Sequence, residues 1–135
     1  MSEIFDKLNL GARRELVVLN PPESFRTELA QLPALHLHHH LTAVLETEFL
    51  LAFVTHRAEV DSLAAQVDAR AKGDGVVWFA YPKGTSKRYQ ADFNRDTGWD
   101  ALERLGWETV RAISIDENWT ALRFRRRQFV KARAK

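Results

Sequence analysis

The sequence predicts one α/β domain with an open, mostly parallel sheet, helices on both faces and a C-terminal antiparallel hairpin. Three short apolar runs, at 15–20, 49–54 and 76–81, have the length and composition of buried strands. Segments with helical spacing separate these runs, which is the pattern of strand–helix–strand units. Because such units need parallel strands, the three runs are expected to lie side by side and to point the same way.

The first strand, 15–20, is followed by a short predicted helix. Pro22 suits the first position of a helix, because its missing N–H would have no partner there. Pro33 stops the helix. Between the two prolines, apolar residues recur at helical spacing: Phe25, Leu29 and Leu32.

Residues 36–41 are expected to be extended, and 49–54 form the second buried strand. The next helix has the apolar stripe of a helix packed on a sheet: Val60, Leu63, Ala64, Val67 and Ala71. The glycines within 73–75 are expected to end this helix, since glycine takes the left-handed conformation of a C-cap. The third strand, 76–81, follows directly.

A polar loop, 82–95, leads to the last helix. Asp96 is expected to cap that helix and Gly106 to end it. Its apolar residues are Trp99, Leu102 and Leu105. The segments 109–115 and 119–125 are then strands joined by three residues, a connection that requires an antiparallel hairpin.

The composition excludes several classes of protein. The 135 residues fit one domain, and a hydrophobic content of 45% is too high for a disordered chain. Because there is no cysteine, disulfides, thiolate metal sites and cysteine nucleophiles are excluded. The first seven residues are of mixed charge, and the run 49–54 is far shorter than the ~20 residues that span a bilayer. A cytoplasmic protein without a membrane segment is therefore expected.

The charge is unevenly distributed. The net charge is +2, but residues 123–135 contain seven basic and no acidic residues, so 1–122 is mildly acidic. We interpret 1–122 as the domain, including most of the hairpin, and 123–135 as the end of the last strand and a basic tail. A cluster of lysine and arginine binds phosphate backbones without sequence specificity. The basic residues assigned to this role are Arg125, Arg126, Arg127, Lys131 and Arg133.

Two motifs resemble a known family. Residues 76–87 read VVWFAYPKGTSK and residues 115–124 read IDENWTALRF, with Asp92 and Asp96 between them. Together they resemble the bacterial domain of unknown function 3052 family, over roughly 49–124 of this chain. Thr120 and Ala121 stand where many members have serine and glycine. The resemblance implies the fold and no activity.

The layout also resembles the second half of a class I methyltransferase, a Rossmann-like fold. Sites for dinucleotides and S-adenosylmethionine need glycines after the first strand, so that the backbone can approach the ligand. Here Asn20, Pro21 and Pro22 stand at that point, and the turn has no glycine. Prolines that separate a strand from a helix explain these residues better than methyl transfer does. No cofactor is predicted.

The loop after the third strand is the leading candidate for a binding site. It leaves the carboxyl end of a central strand, where open α/β sheets bind ligands. Its cations, hydroxyls and glycine suit a phosphate or carboxylate, with a nest of backbone N–H groups around the glycine. The residues are Lys83, Gly84, Thr85, Ser86, Lys87 and Arg88. A solvated basic loop held by Asp92 or Asp96 is the alternative.

Three histidines alternate along the extended segment. On a strand, His36, His38 and His40 share one face, and paired imidazoles at this spacing bind zinc, nickel or copper. The sequence does not place a fourth ligand beside them, so an exposed strand face is the alternative.

The hairpin turn carries Asp116, Glu117 and Trp119. Carboxylates beside an aromatic ring can hold a substrate or act as acid and base. The favoured interpretation is structural, with the Asp and Asn side chains accepting hydrogen bonds from the turn while Trp119 packs at a sheet end.

The sequence assigns no catalytic residue. The leading hypothesis is a small, non-catalytic binding module for an anionic ligand at the carboxyl ends of the strands. Two alternatives stay open: a degenerate methyltransferase-related enzyme, and an interaction protein that binds nucleic acid or another acidic partner through its basic tail.

Overall fold

The apolar segments assemble into one sheet in the computed structural model, which describes residues 3–33 and 35–130. The strands of the described residues are β1 (Glu15–Leu19), β2 (His36–His38), β3 (Thr47–Phe53), β4 (Ala71–Pro82), β5 (Trp107–Ser114) and β6 (Trp119–Arg126). The helices are α1 (Glu3–Lys7), α2 (Arg26–Ala30), α3 (Arg57–Arg70) and α4 (Asp100–Arg104), with 3-10 turns at Glu23–Phe25, Leu41–Ala43 and Arg127–Phe129.

The sheet has the order β2-β1-β3-β4-β6-β5. Strands β1 to β4 pair in parallel, β6 is antiparallel to β4, and β5 closes the sheet as the antiparallel partner of β6. Val17 pairs with Leu50, and Leu50 pairs with Val77. The expected arrangement of the three apolar runs, side by side and pointing the same way, is confirmed, as is the terminal hairpin.

Helices cover both faces of this sheet, as expected. One face packs Leu50, Val77 and Phe79 against the apolar residues of α3 and α4. The other face packs against α1 and the α2 region, and Leu51 and Trp78 lie there. Since successive strand residues alternate between faces, this arrangement explains why the parallel strands are continuously apolar.

The N-terminal helix α1 was not expected from the sequence. It has only five residues, too few for an apolar stripe to be recognised. Its position is fixed by burial of Phe5 and Leu8, which are fully inaccessible to solvent. The indole N–H of Trp78 donates to the carbonyl of Leu8 at 2.7 Å, so the segment after α1 also supplies a polar partner to the core.

Two expected helix boundaries are wrong. The long helix ends at Arg70, and β4 begins at Ala71, so residues 73–75 are not its cap. Ala71 pairs with Thr47 of β3, and Val76 pairs with Phe49. Because β4 has more residues than β3 between these two pairs, β4 bulges there. Gly73 takes a positive φ of 52° within the bulge. Long-range pairing, rather than the local glycine signal, sets this boundary.

The last helix is also capped differently. It begins at Asp100 rather than after Asp96, and its N-cap residue is Trp99. The preceding turn is organised by Asn94, whose Oδ1 accepts the backbone N–H groups of Asp96 (2.8 Å) and Thr97 (3.1 Å). Gly106, with φ at 95°, follows the helix as expected.

The first predicted helix is shorter than expected and starts as a 3-10 turn at Glu23, with Pro22 as its N-cap. The α-helical part ends at Ala30, before Pro33. Phe25 is buried, and Leu29 packs against the same core. No helix in the described residues is long and apolar enough to span a membrane.

We expect Gly98→Ala to destabilise the fold by about 2 kcal/mol or more, because φ at this residue is 93° and a Cβ would lie 2.8 Å from Cβ of Phe93. Gly84→Ala is the matched control, since a Cβ there meets nothing within 4 Å. Urea unfolding of both variants measures the difference. Equal stability of the two variants would contradict this account of the loop.

Candidate ligand-binding edge of the sheet

The carboxyl ends of β1, β2, β3 and β4 meet at one edge because these strands are parallel. From β1 the chain first adds β2 on one side and then crosses to add β3 on the other. Such a reversal of direction is where open α/β sheets form a ligand crevice. The edge beside the end of β1 is therefore the first place to look for a site.

An open cleft of about 710 Å³ lies at the ends of β1 and β2. We call it the β1–β2 cleft, and its lining residues are Asn20, Pro21, Arg26, Leu29, Ala30, Leu37, His39 and His40. A second hollow, of about 240 Å³, lies against α3 and shares Asn20, His39 and His40 with the first. The three shared residues thus border open space on both sides.

Asn20 makes the turn after β1 without a glycine. Its φ is 54°, and within the described residues only Asn9 is another non-glycine residue with positive φ. Asparagine tolerates this left-handed conformation better than most residues do. The tight turn that the sequence analysis associated with glycine therefore exists here, and asparagine directly after the apolar run was the overlooked signal.

The polar side chains of the cleft are one cation, one amide and two imidazoles: Arg26, Asn20, His39 and His40. Nδ1 of His39 lies 3.0 Å from the carbonyl oxygen of Val18. Because a carbonyl only accepts, Nδ1 carries a proton, and in the neutral ring Nε2 can then accept a hydrogen bond. The side chain of Arg26 makes no hydrogen bond or ion pair with any residue that the structure describes. Leu29 and Leu37 supply apolar wall. This combination suits a ligand with an apolar body and an anionic group.

The three histidines of the metal hypothesis have separate environments. Strand β2 ends at His38, so His40 lies beyond the strand and borders the cleft. Nε2 of His38 lies 2.9 Å from a carboxylate oxygen of Glu15, while His36 is exposed. Among the described residues, no group of three or more histidine, aspartate or glutamate side chains is arranged to hold a metal ion.

The loop after β4 lines a cleft of about 280 Å³ at the same edge. The ammonium group of Lys83 donates to the hydroxyl of Ser114 at 2.7 Å. The hydroxyl of Ser86 donates to Oδ1 of Asn118 at 2.8 Å and accepts the backbone N–H of Tyr89 at 3.1 Å, so this hydroxyl is occupied by the fold. These contacts tie the loop to the hairpin turn.

Other residues of this loop are more accessible. Thr85 and Lys87 are exposed, and the guanidinium of Arg88 lies over the ring of Tyr89 at 5.4 Å. Gly84 does not have a positive φ. The expected nest of N–H groups therefore does not use a left-handed conformation at this glycine, and the anion site stays a prediction.

The hairpin turn has the structural role that the sequence favoured. Oδ1 of Asp116 accepts the backbone N–H groups of Asn118 (2.8 Å) and Trp119 (2.9 Å). Trp119 is 3% exposed and packs edge-on against Phe53, with ring centroids 5.1 Å apart. A carboxylate bound to its own turn is unsuited to acid–base work.

The described arginines of the predicted basic tail are held by the fold. Arg125 makes a two-pronged ion pair with Asp74, with N–O distances of 2.9 and 2.7 Å. Arg126 lies over the ring of Trp107 at 4.4 Å and donates to two backbone carbonyls. Arg127 donates to the Glu103 carbonyl. Of the same set, Lys131 and Arg133 lie outside the described residues.

Comparisons with known proteins support the fold. No family model matches the chain, so the resemblance to the domain of unknown function 3052 family is not supported, and no curated protein matches it. The structure is similar to the ribosomal protein L11 methylase from Lactobacillus delbrueckii, with a TM-score of 0.57, 12% identity and coverage of 90% of this chain and 76% of that chain.

Two further solved structures are similar. For the Methanococcus jannaschii fibrillarin pre-rRNA processing protein, the TM-score is 0.56 at 9% identity, covering 87% of this chain and 68% of that chain. For the 16S rRNA (adenine(1408)-N(1))-methyltransferase from Catenulisporales acidiphilia with cosubstrate SAM, the TM-score is 0.53 at 15% identity, covering 92% of this chain and 90% of that chain. The chain therefore has a Rossmann-like fold, similar to the folds of these proteins.

We expect Asn20→Ala to destabilise the protein by about 1 kcal/mol, because alanine resists the left-handed conformation at this turn. Asn20→Gly should stay within about 0.5 kcal/mol of the wild type, since glycine adopts it freely. Urea unfolding compares the two variants. If both lose the same stability, the side chain rather than the backbone conformation of Asn20 is what the turn requires.

The ion pair between Asp74 and Arg125 is expected to make the stability of the fold depend on pH. The hydrogen bond of Asp74 with Arg125, together with the charges of Arg125, Arg123 and Arg13, holds the pKa of the Asp74 carboxyl below its ordinary value. A lowered pKa means that the pair stabilises the fold above about pH 5 and that this contribution is lost as pH falls through the folded-state pKa.

Asp74→Asn should therefore lower the urea midpoint at pH 7, and the difference from the wild type should shrink steadily as the pH is lowered below about 4. Asp61→Asn removes an exposed carboxylate that has no described partner and controls for net charge. A difference between Asp74→Asn and the wild type that is the same at pH 7 and at low pH would contradict the ion-pair explanation.

Proposed function

We propose that this chain is a small-molecule-binding module whose ligand occupies the β1–β2 cleft, with an anionic group of the ligand beside Arg26. The observation that carries the proposal is the position of this cleft at the reversal of strand order, where three residues border open space on both sides. Its volume of about 710 Å³ is in the range of pockets for metabolite-sized ligands.

The residues that line the cleft suit a ligand with one polar end and one apolar end. Leu29, Leu37 and Pro21 offer surface for a flat or aliphatic body. In the neutral ring of His39, Nε2 can accept a hydrogen bond, because Nδ1 carries a proton toward the Val18 carbonyl. Arg26 is exposed and has no described partner, so its positive charge is available to a carboxylate or phosphate.

S-adenosylmethionine is the first compound to test. The similar 16S rRNA methyltransferase structure contains this cosubstrate, and the compound has a carboxylate and a flat heterocycle. The described residues around the cleft include no carboxylate, and the groups that could act as a general base there are the imidazoles of His39 and His40. Methyl transfer remains the alternative function.

The loop 83–88 is a second subsite in this proposal. It leaves β4 at the same edge, two strands from β1, which places it roughly 10 Å across the sheet from the cleft. Lys83 lines the smaller cleft there and is the cation closest to the strand end. A small anion, or the far end of a longer ligand, fits this position. Nucleic-acid binding through the basic tail stays a separate proposal.

The experiment is a thermal-shift series of the full chain with S-adenosylmethionine, S-adenosylhomocysteine, ATP and ADP. A ligand at 100 times its dissociation constant adds about 2.7 kcal/mol to the free energy of unfolding. Arg26→Ala should weaken the binding of the active compound about tenfold, because it removes a hydrogen bond to a charged group. Lys83→Ala tests the second subsite, and Arg104→Ala is the control, an exposed arginine on α4.

Two results would overturn the proposal. One is the absence of a shift with all four compounds. The other is a shift that Arg26→Ala leaves unchanged, since the ligand would then bind away from the β1–β2 cleft. A transfer assay with labelled S-adenosylmethionine and total cellular RNA or protein separates a binding module from an enzyme.

A further inference from the structure

Arginines converge at the other end of the parallel strands from the proposed cleft. Toward the amino ends of the parallel strands, on the face that packs against α1, four of them lie around two carboxylates. We call this group the arginine cluster: Arg13, Arg111, Arg123 and Arg125, with Asp74 and Glu48. Four positive charges against two negative ones leave an excess of +2.

Asn9 brings two of these arginines together. Nη1 of Arg13 donates to the backbone oxygen of Asn9 at 3.1 Å, and Nη1 of Arg111 donates to Oδ1 of the same residue at 3.2 Å. Both acceptors are neutral, so these contacts orient the two guanidinium groups without neutralising them. The left-handed φ of Asn9, 66°, turns the chain after α1 so that its oxygens face the arginines.

Arg123 stands next to this pair. It lies directly opposite Arg111 in the β5–β6 ladder and opposite Trp78 in β4. Its Nε is buried and has no hydrogen-bond partner among the described residues. Its guanidinium makes no ion pair or hydrogen bond with any part of the chain that the structure describes. A buried donor without an acceptor destabilises a protein. The unpartnered Arg123 is therefore an energetic cost to the fold.

The two carboxylates do not supply a partner for Arg123. Asp74 is engaged through both oxygens by Arg125, at 2.9 and 2.7 Å. The side chain of Glu48 is 56% exposed, and among the described residues its ion-pair partner is Arg13, at 3.8 Å. Burial, followed by the charge of Arg125, lowers the pKa of Arg123; the charges of Arg13 and Arg111 act in the same direction, against that of Asp74. The like charges therefore oppose one another in the ligand-free protein.

We propose that the arginine cluster binds a phosphate group, with Arg111 and Arg123 as its direct contacts and Arg13 beside them. Guanidinium groups match phosphate oxygens through paired N–H donors, and several converging arginines are the usual means of holding a phosphate. A phosphate bound by the guanidinium groups would offset the charge excess. The site lies toward the edge opposite the β1–β2 cleft, so it is independent of the function proposed above.

The phosphate could belong to a small compound or to an RNA backbone, and the test separates these sources. Thermal shift with inorganic phosphate and tripolyphosphate, at constant ionic strength set with chloride, reports the small anions. Fluorescence anisotropy with a labelled single-stranded RNA of ten nucleotides reports the polymer. Arg111→Ala is the deciding variant because Arg111 is exposed and its removal leaves the core intact.

In the proposal, Arg111→Ala and Arg123→Gln each weaken tripolyphosphate binding about tenfold, the loss of one charged hydrogen bond. Arg104→Ala, the exposed arginine on α4, keeps wild-type affinity. If RNA supplies the phosphate, the wild type binds the labelled RNA and Arg111→Ala reduces the slope of log affinity against log salt by about 0.7. If RNA does not bind while tripolyphosphate does, the source is a small phosphorylated compound.

The proposal is overturned if neither tripolyphosphate nor RNA binds the wild type. It is also overturned if Arg111→Ala and Arg104→Ala weaken binding equally, because only net charge would then matter. Urea unfolding checks that the variant is folded: Arg111→Ala should unfold at the wild-type urea midpoint without phosphate present. Added tripolyphosphate should raise the midpoints of the wild type and of Arg104→Ala equally, and that of Arg111→Ala less.

Discussion

Parallel pairing of β3 with β1 and β4 is the constraint on which the rest of the structure depends. All seven residues of β3 except Glu48 are buried, and both edges of the strand are hydrogen-bonded to neighbours. A strand enclosed in this way must be apolar on both faces, and its parallel partners can be reached only through connections that cross the faces. Helices on both sides, and the gathering of strand ends at one edge, follow from that pairing.

This constraint explains which parts of the fold could be predicted. The three apolar runs and the hairpin are local patterns, and each gave the correct strand. The cap at 73–75 failed because glycine marks a bulge as readily as a helix end, and only the opposing residues of β3 decide between them. Helix α1 was missed since it is too short to show an apolar stripe, and Phe5 is buried by residues distant in the sequence, among them Phe25 and Phe49.

The same reasoning applies to the candidate site. The edge where the parallel strands end could be located from the apolar runs alone. The sequence analysis chose the loop at 83–88, whereas the larger cleft lies at β1 and β2. The alternating histidines do not share one face of a strand, because β2 ends at His38 and His40 lies beyond it. The proton on Nδ1 of His39 depends on a carbonyl in a neighbouring strand, which no sequence spacing shows.

The basic residues also have a different meaning in three dimensions. As a sequence, the C-terminal arginines form one charged run; in the fold, β6 sends alternate residues to opposite faces. Arg126 is thereby placed over Trp107, while Arg123 and Arg125 point toward α1 and meet Arg13 and Arg111. A solvated tail would disperse such charges, whereas a sheet holds them at fixed spacing and must balance them. Since Asp74 balances only Arg125 closely, the remaining charge is a property of the folded surface, and an anion bound there would stabilise the strand pair that creates the site.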